Sequence, residues 1–268
     1  MQLSIHHSTL YRYDEAAHRV FQALRLWPIP GSGQVIRFWR VDIDGVRLEP
    51  TCVDGFGNPA ATHVIDRLVD SIRITVRAEV QTQDRSGVLG ASTEPLPPAY
   101  FMNSTPLTAP DVALQELAAT CRDEGDGEVA LIHRLCTAVS ERIDYQPHST
   151  HVATSAAEAL SAGAGVCQDH AHVLISCARV LGFPARYISG YLCAGAGLAA
   201  ASHAWAEVWI TDLGWVGFDP ANRVCPDDRY VRVAVGRDYN DAAPVRGVRH
   251  GGLAETLEVS VQVGDGSQ

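Results

Sequence analysis

Cys167, His203 and Asp219 supply, in chain order, the nucleophile, base and orienting carboxylate that thiol acyl transfer requires. Cys167 follows Gly163-Ala164-Gly165-Val166 and precedes Gln168-Asp169. A Gly-rich turn there delivers the cysteine to the first turn of a helix. Free backbone N–H groups and the positive end of the helix dipole lie at that point, and both favour a thiolate over a thiol. The glycines leave the sulfur uncrowded and let a substrate approach the backbone. Taken alone, Cys167 also fits a small buried hydrophobe opening a helix. A lone histidine or a strand-end aspartate is usually structural as well. It is the combination that points to chemistry: cysteine attacks a carbonyl, histidine takes and returns the proton, and aspartate fixes the imidazole tautomer.

The spacing also predicts how His203 and Asp219 meet. His203 begins the alternating run Ser202-His203-Ala204-Trp205-Ala206-Glu207-Val208-Trp209-Ile210, and Asp219 ends Gly214-Trp215-Val216-Gly217-Phe218-Asp219. Only Thr211 to Gly214 separates the two strands, so they form a hairpin whose open end holds both residues. Alternation puts His203, Trp205, Glu207 and Trp209 on one face, and Trp215, Gly217 and Asp219 on one face. These are the same face if Trp209 pairs with Trp215, with Ile210 to Gly214 as the loop. His203 and Asp219 are then diagonal neighbours, roughly 5–8 Å apart at Cβ. A slip of one residue would send Asp219 to the far side.

Around this group the elements can be read coarsely. Residues 1–94 read as an antiparallel β domain of sandwich type. Ile72 to Val80 alternates strictly, Gln34 to Ile43 is rich in β-branched and aromatic residues, and Asp44-Gly45 and Gly57-Asn58-Pro59 are turns. Pro95, Pro97, Pro98, Pro106 and Pro110 make residues 95–110 a connector with no helix or central strand. Residues 111–268 then read as helices followed by an antiparallel sheet, so the whole is α+β. Asp111 caps a first helix, and a second carries Leu131, Ile132, Leu135 and Val139 and ends near Arg142. Ser155 with Glu158 forms a capping box. A fourth helix runs from Cys167 to Leu181, with Ala171, Leu174, Ala178 and Leu181 inward and a stop at Gly182. Strands include Trp205 to Ile210, Trp215 to Phe218, Tyr230 to Val235 and Leu257 to Val263, and Gly264 to Gln268 is expected to fray.

Composition narrows the partners. At 268 residues, with 46% hydrophobic and 19% charged, the chain can bury a core without staples. The net charge of -10 disfavours nucleic acid and anionic membrane surfaces. Tyr187 to Ala206 lacks charge but is too rich in Gly, Ser and Ala to span a bilayer, and no leader is read at the start, so a cytoplasmic location is expected. The seven cysteines are odd in number and contain no Cys-x-x-Cys pair, which excludes a disulfide framework or zinc ribbon. His148, His151, Cys167, His170 and His172 cluster in sequence, yet His170 and His172 point to opposite sides of a helix, so no metal or other cofactor is expected. Asp169 reads as helix N-terminal charge, and Arg186 as a partner for Glu207 or Asp169.

Four stretches carry a resemblance. They are Gly165-Val166-Cys167-Gln168-Asp169-His170-Ala171-His172, Gly182 to Tyr191, Ser202 to Val208, and Trp215 to Pro220. Together they resemble the core motifs of the bacterial transglutaminase-like proteins. Tyr11-Arg12-Tyr13, Gln22 to Pro28 and Phe56-Gly57-Asn58 resemble the β domain that precedes the core, and Gly236 to Tyr239 with Pro244 to Val248 also fit. The resemblance implies a papain-like core, with Cys167 as nucleophile, His203 as general base and acid, and Asp219 as orienting carboxylate. It implies an oxyanion hole using the Cys167 backbone N–H, with Tyr145 as the candidate second donor; an ordinary core tyrosine is the other reading. His170 stands where the family has a large apolar or aromatic residue, and it either tunes the thiolate or is partly exposed. Animal members depend on calcium, but no oxygen-rich loop of that kind is read here. The expected function is a cysteine peptidase or amidohydrolase on a peptide or protein substrate. A protein-glutamine amine transferase and an inactive peptide-binding module remain as alternatives.

Overall fold

The computed structural model describes residues 1–29, 31, 33–90, 95–123, 125, 127–193, 201–251 and 254–265. Strands β1 (Gln2–Leu24), β2 (Gln34–Ile43), β3 (Val46–Leu48), β4 (Cys52–Val53), β5 (Pro59–Ile65), β6 (Val69–Thr82) and β7 (Val88–Gly90) come first. A 3-10 turn spans Pro98–Met102. Next are α1 (Val112–Thr120), α2 (Glu128–Arg142), β8 (Asp144–Tyr145), α3 (Ala156–Ala162), β9 (Ala164–Gly165) and α4 (Cys167–Val180). The chain ends with β10 (Ala185–Leu192), β11 (Ala201–Ile210), β12 (Gly214–Phe218), β13 (Tyr230–Gly236), α5 (Tyr239–Ala242), β14 (Val245–His250) and β15 (Glu255–Asp265). The fold is α+β and strand-rich. No described helix is long and apolar enough to cross a membrane. Of the uncharged stretch 187–206, residues 194–200 lie outside the described residues and the rest is β10, β11 and the residue between.

The first sheet runs β3-β2-β6-β1-β5-β4, with β14 and β15 also paired to β1. Its curl follows from the length of β1. Residues 2–12 lie between β6 and β15, while residues 20–24 lie between β5 and β14. The β1–β6 register shifts between Arg12 and Ala17, where the strand turns from one layer to the next. Alternating Ile72, Ile74, Val76, Ala78 and Val80 on β6 are all buried, as the strict period of that run requires.

The second sheet is antiparallel in order β13-β10-β11-β12-β7. Helix α4 packs on β11 and on α1, α2 and α3. Its residues 169–179 are buried on every side, so the single inward face expected for it is too narrow. The expected caps are present. The Asp111 carboxylate accepts from Leu114 N at 2.9 Å, Ser155 and Glu158 close a capping box, and Gly182 takes φ +95 after the helix.

Three expectations about chain usage are corrected by nonlocal pairing. Strands β14 and β15, within the 111–268 span expected for the core, pair with β1 and complete the first sheet. Strand β7, within the 1–94 span, pairs with β12 at the edge of the second sheet. Gly264 and Asp265 pair with Ser4 and Leu3 rather than fraying; residues 266–268 lie outside the described residues, as do 91–94 at the expected boundary. The connector is also not free of helix. Its 3-10 turn buries Phe101 against Trp215, with ring centres 5.3 Å apart. Buried Arg179 pins it, donating to Phe101 O at 2.7 Å and Thr108 Oγ1 at 2.7 Å.

The two sheets meet through an apolar seam of Leu3, Ile5, Ala78 and Val80 against Tyr191, Cys193, Val231 and Val233. The outer edge of β13 would leave backbone groups open. Two side-chain amides fill them. Asn58 bonds Val235 N and O, both at 2.8 Å, and Gln34 bonds Arg232 N at 3.0 Å and Arg232 O at 2.8 Å.

Candidate active site

Cys167 is the first residue of α4, and the turn before it is clamped from two sides. Strand β9 pairs parallel with β8, setting Tyr145 opposite Gly165. The Asp169 carboxylate reaches back to accept from Val166 N at 2.8 Å and from Thr150 Oγ1 at 2.6 Å. Asp169 therefore ties down the turn as well as facing the dipole. A Cβ at position 165 would sit 2.7 Å from the Asp169 side chain, which is why glycine stands there. His170 is buried, not partly exposed. Its ring nitrogens lie 2.9 Å from Val166 O and 2.9 Å from Ile143 O, so it braces the cysteine turn against the start of β8.

The hairpin has the expected register. Trp209 pairs with Trp215 and Glu207 with Gly217. Ile210 and Gly214 also pair, so the loop is the shorter Thr211 to Leu213. His203 Nε2 and Asp219 Oδ2 are 2.6 Å apart, and both residues are buried. Cys167 lines the same cavity as His203, and its thiol acts on that ring. Burial opposes a charge on His203, but the hydrogen bonds to Asp219 and Cys167 outweigh it, and the pKa is pushed up to about 10. An imidazolium that persists through neutral pH is the partner a thiolate needs.

Asp219 is fully buried, which penalises its charge, yet its pKa is lowered because donors converge on it. His203 Nε2, Asn222 Nδ2 at 2.7 Å and Tyr230 Oη at 2.8 Å reach Oδ2, while Ala221 N at 3.0 Å and Asn222 N at 3.3 Å reach Oδ1. Asn222 and Tyr230 were not singled out by sequence reading. Asn222 carries a signal, because it lies in the turn just beyond a strand-end Asp-Pro. Tyr230 carries none, since β13 reaches Asp219 only through the fold. Trp205 stacks on the His203 ring at 24° with centres 6.3 Å apart.

Tyr145 is 54% exposed, so the core-tyrosine reading does not describe it. Partial burial, with the nearby Cys167 and Asp219 charges, raises its pKa, which keeps the O–H as a donor. Arg186 pairs with Glu207 at 2.6 Å, with both side chains buried, and its guanidinium lies 3.8 Å from the Trp215 ring centre. Among the described residues no three His, Cys, Asp or Glu side chains come together as a metal site. The backbone N–H of Tyr239 donates to His172 Nε2 at 3.1 Å, while the His170 ring nitrogens face the Val166 and Ile143 carbonyls.

Comparison with known proteins places this geometry. Residues 115–220 match the transglutaminase-like superfamily, and residues 3–81 match the bacterial transglutaminase-like N-terminal region. An uncharacterized protein of Mycobacterium leprae is 28% identical over 98% of each chain. One of Mycobacterium tuberculosis is 30% identical, covering 96% of this chain and 90% of its own. A protein-glutamine gamma-glutamyltransferase of Pseudomonas aeruginosa is 31% identical over 103 residues, which is 33% of this chain and 15% of that protein. A candidate cysteine protease from Cytophaga hutchinsonii has the same fold, with a TM-score of 0.79 at 22% identity over 100% of this chain and 91% of its own. With the Cys–His–Asp geometry and both matches in place, this chain belongs to the transglutaminase-like superfamily.

Proposed function

We propose that the protein is a thiol acyl-transfer enzyme that opens amide bonds through a thioester on Cys167, acting first as a cysteine peptidase or amidohydrolase. The observation that carries this is His203, hydrogen-bonded to Asp219 at 2.6 Å and lining one cavity with Cys167, the first residue of α4. The Cys167 thiolate attacks the amide carbonyl carbon. The developing oxyanion is met by the Cys167 backbone N–H, with the Tyr145 hydroxyl as second donor. His203 passes its proton to the leaving nitrogen as the C–N bond breaks, and an amine departs. His203 then takes a proton from water, whose oxygen attacks the thioester. The carboxylic acid leaves and the thiolate–imidazolium pair is restored.

Hydrolysis is placed first because water needs no binding site beyond His203. Amine transfer uses the same three residues, and the match to the Pseudomonas glutamyltransferase supports keeping it as the alternative. Intact mass of products from a peptide library, with and without an added primary amine, separates the two. Shorter acids alone indicate a hydrolase, amine adducts a transferase. No turnover with the wild-type protein, or equal turnover with Cys167→Ala, sinks the proposal.

A further inference from the structure

The active-site cleft has a wall that the three reacting residues do not explain. In β1, His7, Thr9 and Tyr11 alternate onto one face, and β15 sets Val261, Val259 and Leu257 directly opposite them. Further back, the same face packs Leu3 and Ile5 against the second sheet. Beyond that seam the sheets part and leave a cavity of about 270 Å³, with Cys167 and His203 on one side and Thr9, Tyr11, Leu257 and Val259 on the other. Leu257 and Val259 are 53% and 51% exposed. Large apolar side chains exposed inside a concavity beside a nucleophile are placed to be covered by a ligand.

We propose that this face of the first sheet, centred on Tyr11, Leu257 and Val259, is the specificity wall of the cleft and receives an uncharged aromatic or aliphatic side chain of the acyl donor. The inference rests on the thiol acyl-transfer reading above and adds the substrate class to it. The chemistry of the lining decides the occupant. Among the described residues, no Asp, Glu, Lys or Arg lines the cavity. His7 does not supply a charge at neutral pH. Burial and the neighbouring His6 lower its pKa to about 4, and its ring is engaged by Tyr191 Oη and Thr9 Oγ1, both at 2.8 Å. Glu255, which acts on Tyr11 from outside the lining, is paired with Arg249 at 3.2 Å. The His203 imidazolium on the opposite side is engaged by Asp219, so a charged substrate side chain against this wall would lose water without gaining a partner. The volume lies just under the range of about 300–1,000 Å³ for whole small-ligand pockets, which suits one or two side chains.

The test is affinity labelling with N-acetyl dipeptidyl chloromethyl ketones carrying Phe, Leu, Glu or Lys at the first or second position from the reactive carbon. The Cys167 sulfur displaces chloride and forms a thioether, read by intact mass and peptide mapping. Every rate is divided by the iodoacetamide rate of the same protein. The Phe or Leu reagents should react at least about tenfold faster than Glu or Lys. Leu257→Glu should bring the Phe-to-Lys ratio below about threefold. Glu258→Gln, on the opposite face of β15, should leave that ratio as in the wild type. Equal rates for all four reagents, or an unchanged ratio in Leu257→Glu, overturn the wall while Cys167 still reacts with iodoacetamide. Failure of Cys167 to react even with iodoacetamide overturns the thiol reading, and the wall with it.

Discussion

Trp209 lies directly opposite Trp215 in the hairpin, ring edge to face with centres 5.5 Å apart, and that pairing decides which way Asp219 points. Because side chains alternate, fixing one pair fixes every later one. Two bulky indoles on the same face allow one register and make a slip costly. The carboxylate is thus aimed at His203 by a contact at the far end of the strand.

Asp219→Asn should therefore keep the fold and lose turnover by about 10²–10⁴-fold. The sign of the pH effect follows from His203. Its pKa is raised to about 10, so the imidazolium is intact below that value and is lost as pH rises through it. Wild-type kcat/KM should fall along an alkaline limb near pH 10. In Asp219→Asn the hydrogen bond that raises the pKa is weakened, so the limb should move to lower pH. A limb in the same place in both proteins would show that Asp219 does not set the histidine.

Iodoacetamide at pH 6 should modify Cys167 first among the seven cysteines, read by mass spectrometry after brief exposure. Burial pushes the thiols of Cys136 and Cys177 up to about 12 and removes them from competition. The informative rival is Cys52, which is exposed and donates its S–H to Ala60 O. Labelling of Cys52 as fast as Cys167 would mean that position on the surface, not the histidine partner, governs reactivity.

Gly165→Ala should separate activity from stability. Its Cβ would press on the Asp169 side chain at 2.7 Å and push the cysteine turn out of place. A displacement near 1 Å costs about 10²-fold in rate. A variant with wild-type kcat/KM would show that the turn relaxes without moving the sulfur.

Glu207→Ala should be strongly destabilising. Glu207 is shared by Arg186 at 2.6 Å and Arg232 at 2.8 Å, and Arg186 is fully buried. Removing the carboxylate takes a counter-charge from a buried guanidinium, at a cost of about 3–5 kcal/mol. Urea unfolding monitored by tryptophan fluorescence measures it; a loss under about 1 kcal/mol would mean the pair is solvated in solution.

Local signals in this chain were readable. Asp111, the Ser155–Glu158 box and Gly182 mark helix ends because caps act within a turn. The hairpin register follows from the parity of alternation across a short loop. What the sequence does not display is pairing between distant segments. Nothing near Glu255 says that it will lie beside Tyr13, or near Val88 that it will edge the other sheet. The same limit hides Tyr230, whose hydroxyl meets Asp219 from a different strand. The partly exposed alternative for His170 fails for a related reason: its two carbonyl partners include Ile143, on a segment that only the fold brings alongside.

The pairing of β15 with β1 has a consequence in time. Synthesis from the N-terminus adds Cys167, His203 and Asp219 before residues 255–265. The strand that lines the far side of the cleft must then find residues 3–13, more than two hundred positions earlier in the sequence, which is among the slowest kinds of contact to form. Cys167 is thus synthesised before the strand that completes the far wall of its cleft.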